Sequence, residues 1–323
     1  MILVTGASGY IGNNLVRRLV ELGKPVRALV HNPAKAGNRL ADVRGKIEIV
    51  PGDVSRPDTL APALDGVSAV VHLVAVAIEK GELTYERINT QGTANLVAAV
   101  QAAGVRRLIN MSQNGADPAA PFRFLASKGK AQQIVAASGL DWTALRPSVV
   151  WGPQDEFANV QARLIKLMPL IFPIVGDGGA KFQPVWVGDV VEAIVRCLDD
   201  ASTAGQEYGL GGPEVLTYAE IVERVLRALG ARRLTVRVPV PLLRPAVKLM
   251  EVALPNPPVT TGLLEMLKVD NVIEHNALTD VFGIAPRPFT PENLGYMRQF
   301  SAAGSIKRLL GQRTADEIQS EET

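Results

Sequence analysis

Short apolar runs alternate with amphipathic stretches through the first half of the chain. Ile2-Leu3-Val4 leads into a glycine-rich turn, and Asn13 to Leu22 continue at helical spacing, so a buried strand, a tight turn and a helix open the chain. Pro25 to Val30 reads as a second strand and Lys46 to Val50 as a third, which Pro51-Gly52-Asp53-Val54 ends. Ser55-Arg56-Pro57-Asp58 then starts a helix in capping-box style. Ala69 to Ala75 is apolar throughout, as expected of a strand covered on both faces. A long helix from Tyr85 to Ala103, a fifth strand from Arg107 to Ser112, a helix from Phe122 to Ser138 and a sixth strand from Trp142 to Pro147 follow. This alternation predicts an α/β fold with a doubly wound parallel sheet. Right-handed crossovers then bring every strand's carboxyl end to one rim, where a ligand sits.

Beyond Ser148 the rhythm loosens. Val160 to Leu170 has helical spacing, Gly176-Asp177-Gly178-Gly179 is a turn, Pro184 to Val187 a short strand, and Asp189 caps a helix from Val190 to Leu198. A strand near Tyr208 to Gly211, a helix from Tyr218 to Leu229 and a strand from Leu234 to Val238 come next. Pro239 to Pro258 is rich in proline and leucine and holds an amphipathic helix, Leu243 to Leu254. Its apolar face (Leu243, Val247, Met250, Leu254) is expected to pack on its own domain, the alternatives being a partner or a membrane surface. The expected division is a Rossmann-type nucleotide-binding domain over 1–150, with 184–200 packing back onto it. Residues 151–183 and 201–300 form a smaller, interleaved α+β lobe for a substrate or partner, and 304–323 a partly disordered acidic tail.

Composition narrows the classes. A chain of 323 residues with 47% hydrophobic and 20% charged residues can bury a large core. A net charge of +2 argues against nucleic acid as a partner. Cys197 is the one cysteine, which excludes an internal disulfide framework, and its apolar helical surroundings read as those of an inert core thiol. His31, His72 and His275 lie far apart, with no metal-ligand spacing, so no metal is expected. His72, within an apolar strand, reads as a hydrogen-bonded core residue. With the first core strand read from residue 2, no signal peptide is expected, and no apolar stretch is long enough to span a bilayer. The expected location is the cytoplasm, with attachment to the inner face of a membrane as the variant.

The chemistry concentrates in the first turn. Gly6, Gly9 and Gly12 permit a tight turn, close approach of a bound group and close packing of the next helix on the strand. With Ala7, Ser8, Tyr10 and Ile11 they set a helix N-terminus, with unpaired N–H groups and a positive dipole end, against whatever lies on the turn. Between a strand and a helix this is a dinucleotide signature. A Rossmann fold normally carries an acidic residue after the second strand to hold the adenosine ribose. Here His31, Asn32 and Pro33 stand there, followed by Lys35 and Arg39, with no carboxylate before Asp42. That favours a 2′-phosphate, hence NADP(H) over NAD(H), the alternative being an ordinary polar loop. Asp53 could accept from the adenine amino group or cap its own turn.

Several stretches together resemble the extended and atypical short-chain dehydrogenases, or NAD-dependent epimerase/dehydratases. They are Thr5 to Gly12, Gly52-Asp53-Val54, His72 to Ala75, Asn89 to Leu96, Arg146 to Pro153 and Val185 to Val190, in family order. Gly139-Leu140-Asp141-Trp142-Thr143, Phe182 to Val187, Leu267 to Val272 and Phe282 to Pro286 are similar to the branch that contains the nucleotide-binding accessory subunit of respiratory complex I. The resemblance covers the chain to about residue 298. It adds Val54, Leu73, Val74, Ala75, Asn89, Met111, Pro147 and Val149 to the expected cofactor contacts.

It also implies a site chemistry. The family pairs a tyrosine with a lysine four residues later on one helix face, and a serine at the end of the fifth strand. The phenol exchanges a proton with the substrate oxygen, while the lysine lowers its pKa and holds the nicotinamide ribose. Aligned to that pattern, Lys128 is the lysine and Ser112 the serine, but Phe124 occupies the tyrosine position. Lys128 and Ser112 can still hold a nucleotide. The expectation is therefore a protein in which the cofactor is mainly structural and the surface docks a partner. The alternatives are an oxidoreductase or sugar-nucleotide-type epimerase/dehydratase with another proton donor, its pocket shaped by Tyr85, Gln113 and Asn114, and a redox sensor whose partner affinity follows NADP⁺ and NADPH.

Overall fold

The computed structural model describes residues 1–34 and 39–312, which fall into two compact units. Lys35 and most of the acidic tail lie outside the described residues. The first unit comprises Met1–Pro147, Val187–Leu210 and Glu274–Ile284, and the second Ser148–Trp186, Gly211–Ile273 and the residues from Ala285 onward.

The first unit is built on a parallel sheet. Its strands are β1 (Ile2–Thr5), β2 (Val26–Val30), β3 (Glu48–Pro51), β4 (Ala69–His72), β5 (Arg107–Met111) and β6 (Asp141–Pro147). A seventh strand, Gln206–Leu210, joins beyond β6, which gives the order Gln206–Leu210, β6, β5, β4, β1, β2, β3, every pair parallel. The order reverses between β1 and β4, the point at which doubly wound sheets bind ligands. β1 and β4 are buried along their whole length, so their Val- and Leu-rich composition follows from cover on both faces.

Helices α1 (Tyr10–Glu21), α2 (Gly92–Ala102) and α3 (Arg123–Ala136) cross between the strands, and Val187–Asp199 packs beside α1. Leu3, Val70, Leu96, Val100, Leu108 and Val135 form the core beneath one face of the sheet. On the other face Arg18 bridges to Glu192 at 3.3 Å and Lys24 pairs with Asp199. Cys197 is fully buried there, and burial pushes its thiol up to about 12, so it is not a nucleophile.

Three expectations are corrected. The helix expected from Ser55 is a pair of tight 3₁₀ turns, Pro57–Thr59 and Ala61–Leu64, because Asp53 and Thr59 satisfy the backbone locally. The long helix from Tyr85 to Ala103 is interrupted: Tyr85–Gln91 forms a wide π-type segment, and α2 restarts at Gly92. Residues 201–210 and 274–284 belong to the first unit and not to the smaller lobe. Gln206–Leu210 completes the sheet edge, and the short helix Ala277–Asp280 packs on that strand, with Tyr208 and Phe282 ring centroids 5.0 Å apart.

The second unit gathers Trp151, Phe172, Phe182, Tyr218 and Phe289 into its own core. Its helix Tyr218–Ala228 starts with a capping box between Thr217 and Glu220. Strands Ile171–Val175 and Leu234–Val238 pair in parallel, and the latter leads within two residues into the helix Val240–Ala253. That helix starts earlier than its apolar spacing suggests and contains Pro245. Leu243, Val247 and Met250 do face their own unit, packing with Val240 and Leu264.

Candidate functional site at the rim of the sheet

The turn after β1 is shaped by glycines that nothing larger could replace. Gly6 has φ +70°, and a Cβ on Gly12 would lie 2.1 Å from the Gly6 carbonyl oxygen and 2.9 Å from the Ala7 Cα. Absence of that Cβ is what lets α1 cross directly over the turn. Gly9 caps α1 with no side-chain hydrogen bond, and the first turn of the helix holds no acidic residue. Its exposed N–H groups and positive dipole end are thus a seat for an anion, and a pyrophosphate fits it.

Beside the turn, the Arg39 guanidinium donates to the Ser8 carbonyl at 2.9 Å. Arg17 holds the flank, bonding the Asn13 side chain at 2.5 Å and Asp42 at 2.8 Å. At the end of β2, His31 is exposed, with Nδ1 3.3 Å from an Asp53 carboxylate oxygen. Asp53 also accepts from the Ser55 N–H at 2.8 Å, so it caps its own turn. The neighbouring Val54 carbonyl accepts from Asn95 at 2.8 Å. Asn32 accepts from the Ala34 N–H at 3.1 Å.

The loop after β4 is pinned by Asn89. Its carboxamide accepts from the Val76 N–H at 2.8 Å, donates to the Val76 carbonyl at 3.1 Å and reaches Ser127 Oγ at 3.0 Å. One buried side chain thereby fixes the segment that follows Leu73-Val74-Ala75 and ties it to α3. Its position in the π-type segment explains why that wider turn is kept here.

On α3, Phe124, Lys128 and Gln132 stand at four-residue steps and share a face. Gly129 presses the helix against the Asp117–Pro118 backbone, since a Cβ there would lie 2.3 Å from the Asp117 carbonyl carbon. Lys128 is consequently buried, its ammonium donating to the Met111 carbonyl at 2.6 Å, and burial lowers its pKa to about 8. Ser112 donates to Gln132. The Phe124 ring packs at 5.8 Å from Tyr85, whose hydroxyl donates to the Ala77 carbonyl at 2.9 Å. Arg123 lies over that same Tyr85 ring and pairs with Glu79 at 2.7 Å.

Pro147 closes β6 within the same unit, where its carbonyl accepts from the Asn114 N–H at 3.0 Å. Val149 falls in the second unit. Three supporting residues escaped sequence reasoning. Gln132 was detectable only as a polar residue one turn beyond Lys128 on the same face, whereas Asn13 and Ser127 carried no local signal.

His72 ends β4 between two threonines, Thr5 Oγ1 at 2.8 Å and Thr93 Oγ1 at 3.0 Å. Burial, helped by the Lys128 charge, lowers its pKa to about 3. The unfolded chain therefore binds a proton at His72 below about 6.5 that the folded chain refuses. The stability this represents is complete above pH 6.5 and is lost as the pH falls toward 3, on the order of 4–5 kcal/mol in full. Denaturant titrations of wild type and His72→Gln from pH 7 to pH 4 should converge toward acid pH. Parallel curves would refute the assignment.

The seven-stranded parallel sheet with a glycine-rich turn between β1 and α1 defines a Rossmann-type protein. Comparison with known proteins agrees. A family model described as NAD(P)H-binding matches residues 6–164. The chain is 28% identical over 287 residues to the mitochondrial NADH dehydrogenase [ubiquinone] 1 alpha subcomplex subunit 9 of Arabidopsis thaliana, covering 85% of this chain and 71% of that protein. It is 31% identical over 230 residues to an NAD(P)H azoreductase of Xenophilus azovorans, covering 71% and 74% of the two chains. Among solved structures, the crystal structure of gox2253 superposes with a TM-score of 0.70 at 26% identity, over 97% of this chain and 99% of that one. The chain belongs to the NAD(P)-binding short-chain dehydrogenase/reductase family, with complex I subunits among its homologues.

Proposed function

We propose that this protein holds NADP(H) at the rim of the first unit as a fold-stabilising group, turns it over slowly or not at all by the family's route, and docks a partner. One observation carries the reading. On the face of α3 where a phenol would stand one turn before Lys128, there is the Phe124 ring. When bound, the nicotinamide supplies a hydride. The chain's own part in a reduction is to deliver a proton, and a benzene ring has none to give.

What remains is suited to binding. Gly6, Ala7, Ser8, Gly9, Tyr10, Ile11 and Gly12 would seat the pyrophosphate, and the Lys128 ammonium would donate to the nicotinamide ribose hydroxyls beside Ser112 and Met111. Leu73, Val74 and Ala75, held by Asn89, would line the path between them, and Asp53 and Val54 would border the adenine. A ligand that binds only the folded chain stabilises it by RT ln(1 + [L]/Kd), so bound nucleotide is a structural element without any turnover. The Arabidopsis complex I subunit among its relatives motivates the docking half of the proposal.

His31, Asn32 and Arg39 support the choice of the phosphorylated coenzyme, since the chain carries no carboxylate between the end of β2 and Asp42. Charge-assisted contact to a 2′-phosphate is worth about 1.5–3 kcal/mol. Arg39→Ala is thus expected to weaken NADPH by roughly tenfold to a hundredfold and leave NADH unchanged, as read by isothermal titration. Equal losses for both coenzymes would point to disruption of the Ser8 turn in place of phosphate recognition. For the whole proposal, protein saturated with NADPH should melt higher than the free chain and keep the coenzyme reduced across a panel of aldehydes and ketones. Steady oxidation would instead support the oxidoreductase reading. Tyr85, whose ring lies 5.8 Å from Phe124, is the phenol that reading would use.

A further inference from the structure

The strand Leu234–Val238 is the edge of its sheet. It pairs in parallel with Ile171–Val175 and with no other strand among the described residues. Bonds at the two ends of the pairing fix the direction of each backbone group. The Leu234 N–H donates to the Leu170 carbonyl at 3.0 Å, and the Gly176 N–H donates to the Val238 carbonyl at 2.9 Å. Alternate residues of a ladder turn to the same neighbour, so Leu234, Val236 and Val238 bond to Ile171–Val175. Thr235 and Arg237 turn their N–H and C=O groups to the open edge.

The register also sorts the side chains. Leu234 stands beside Ile171, and Val236 beside Pro173, on one face of the pair. Leu234, Ile171 and Val236 on that face are 65%, 52% and 40% exposed. Thr235 and Arg237 lie on the other face with Phe172 and Ile174, which are buried in the core of the unit. On this side a cleft of about 740 Å³ opens between the strand and the helix Tyr218–Ala228. Thr235 and Arg237 line it from the strand, Glu220 and Glu223 from the helix. Arg237 is exposed and has no carboxylate partner among the described residues. Glu220 bonds Thr217 through Oε2, and Glu223 pairs with Arg227 through Oε1. The second oxygen of each is left for another donor.

We infer that a second copy of this chain completes the edge, the two Leu234–Val238 strands pairing antiparallel about a two-fold axis at Val236. The outward groups lie one residue to either side of Val236. Thr235 of each copy can therefore exchange both backbone bonds with Arg237 of the other, while Val236 meets its own counterpart. A two-fold interface must be complementary to itself, and this spacing is. Leu234 then lies beside Val238 of the other copy, and the exposed aliphatic face continues across both pairs of strands. The charges agree. Charged edge residues ordinarily oppose such pairing, but in this register each Arg237 stands opposite a threonine and not opposite the other arginine. It faces the cleft that carries Glu220 and Glu223 of the other copy, so a cation without a partner is directed to acids with an oxygen to spare. The inference goes beyond the proposed function and does not depend on the nucleotide.

The test is the mass of the full chain by light scattering, joined to crosslinking at the proposed axis. Wild type should be a dimer that dissociates on dilution. Val236→Glu should raise the dimer dissociation constant by roughly tenfold or more, since it sets like charges opposite each other in place of an aliphatic pair. Thr235→Pro should do the same and keep the circular dichroism of wild type, because it removes only an outward N–H. Under mild oxidation Val236→Cys should give a disulfide-linked dimer, as side chains directly opposed across the axis are within disulfide reach. Thr235→Cys, displaced from the axis, should not. Cys197 is buried and takes no part. A monomeric wild type overturns the inference and leaves the edge to an extended segment of another protein. A dimer that survives both Val236→Glu and Thr235→Pro overturns it as well, as does equal crosslinking at positions 235 and 236. NADPH uptake, read on the same samples, reports separately on the nucleotide proposal.

Discussion

Phe124→Tyr is expected to raise the protein's reductase activity far above that of the wild type. The substitution adds one hydroxyl to a ring that already sits a helical turn before a buried ammonium group. Lys128, with its pKa lowered to about 8, would stabilise the phenolate as it forms, and Ser112 at the end of β5 would hold the substrate oxygen. A positioned acid is worth roughly 10²–10⁴ in rate. NADPH consumption with an aldehyde and ketone panel should therefore rise by that order over wild type, with coenzyme affinity unchanged. Adding Lys128→Met should remove the gain, because the new phenol then has no cation to lower its pKa. A Phe124→Tyr protein that binds NADPH normally and reduces nothing would mean that this face of α3 is not the reacting face.

Gly12→Ala is expected to cost about 3 kcal/mol of stability and to abolish coenzyme uptake. The added methyl group would meet the Gly6 carbonyl oxygen at 2.1 Å and the Ala7 Cα at 2.9 Å, and both are backbone atoms. Neither can rotate away as a side chain would, so the turn or the start of α1 must move. The moved part is the proposed phosphate seat. Gly45→Ala serves as control, since a Cβ there meets nothing within 4 Å. Thermal melts with and without NADPH separate the two effects: the variant should melt lower and gain nothing from the coenzyme. Normal NADPH stabilisation of Gly12→Ala would show that the nucleotide lies elsewhere.

Wherever the chain makes its structure from short-range pattern, that structure was legible beforehand. β1, the glycine turn and α1 follow from an apolar run, three glycines and helical spacing, none of which depends on distant residues. The strand β4 followed from an unbroken apolar run, as did the inert setting of His72, and that of Cys197 from the apolar helical pattern around it. The departures lie where distant contacts outbid local preference. Asn89 gives up a regular helix to clamp Val76 and Ser127, which no spacing rule signals. Gln206–Leu210 is short and half exposed, and only its pairing with β6 places it in the first unit.

The helix Val240–Ala253 shows the same split. Its spacing identified Leu243, Val247, Met250 and Leu254 as a packing face, and the first three pack on their own unit. Leu242, Leu249 and Val252 on the same helix are apolar too, so the sequence alone could not separate a helix enclosed on all sides from one with an uncovered side. Burial in the second unit decided it.

By itself, then, the sequence determined a parallel nucleotide-binding sheet, the turn that would seat a pyrophosphate and the helix row in which Phe124 precedes Lys128. Each of these is written in residues next to one another or one helical turn apart. The tertiary structure alone decided that Lys128 is buried with its ammonium on the Met111 carbonyl, that Arg39 returns to Ser8, and which apolar residues of the helix Val240–Ala253 stay uncovered. Those outcomes depend on groups far apart in the chain, whose meeting is set by packing.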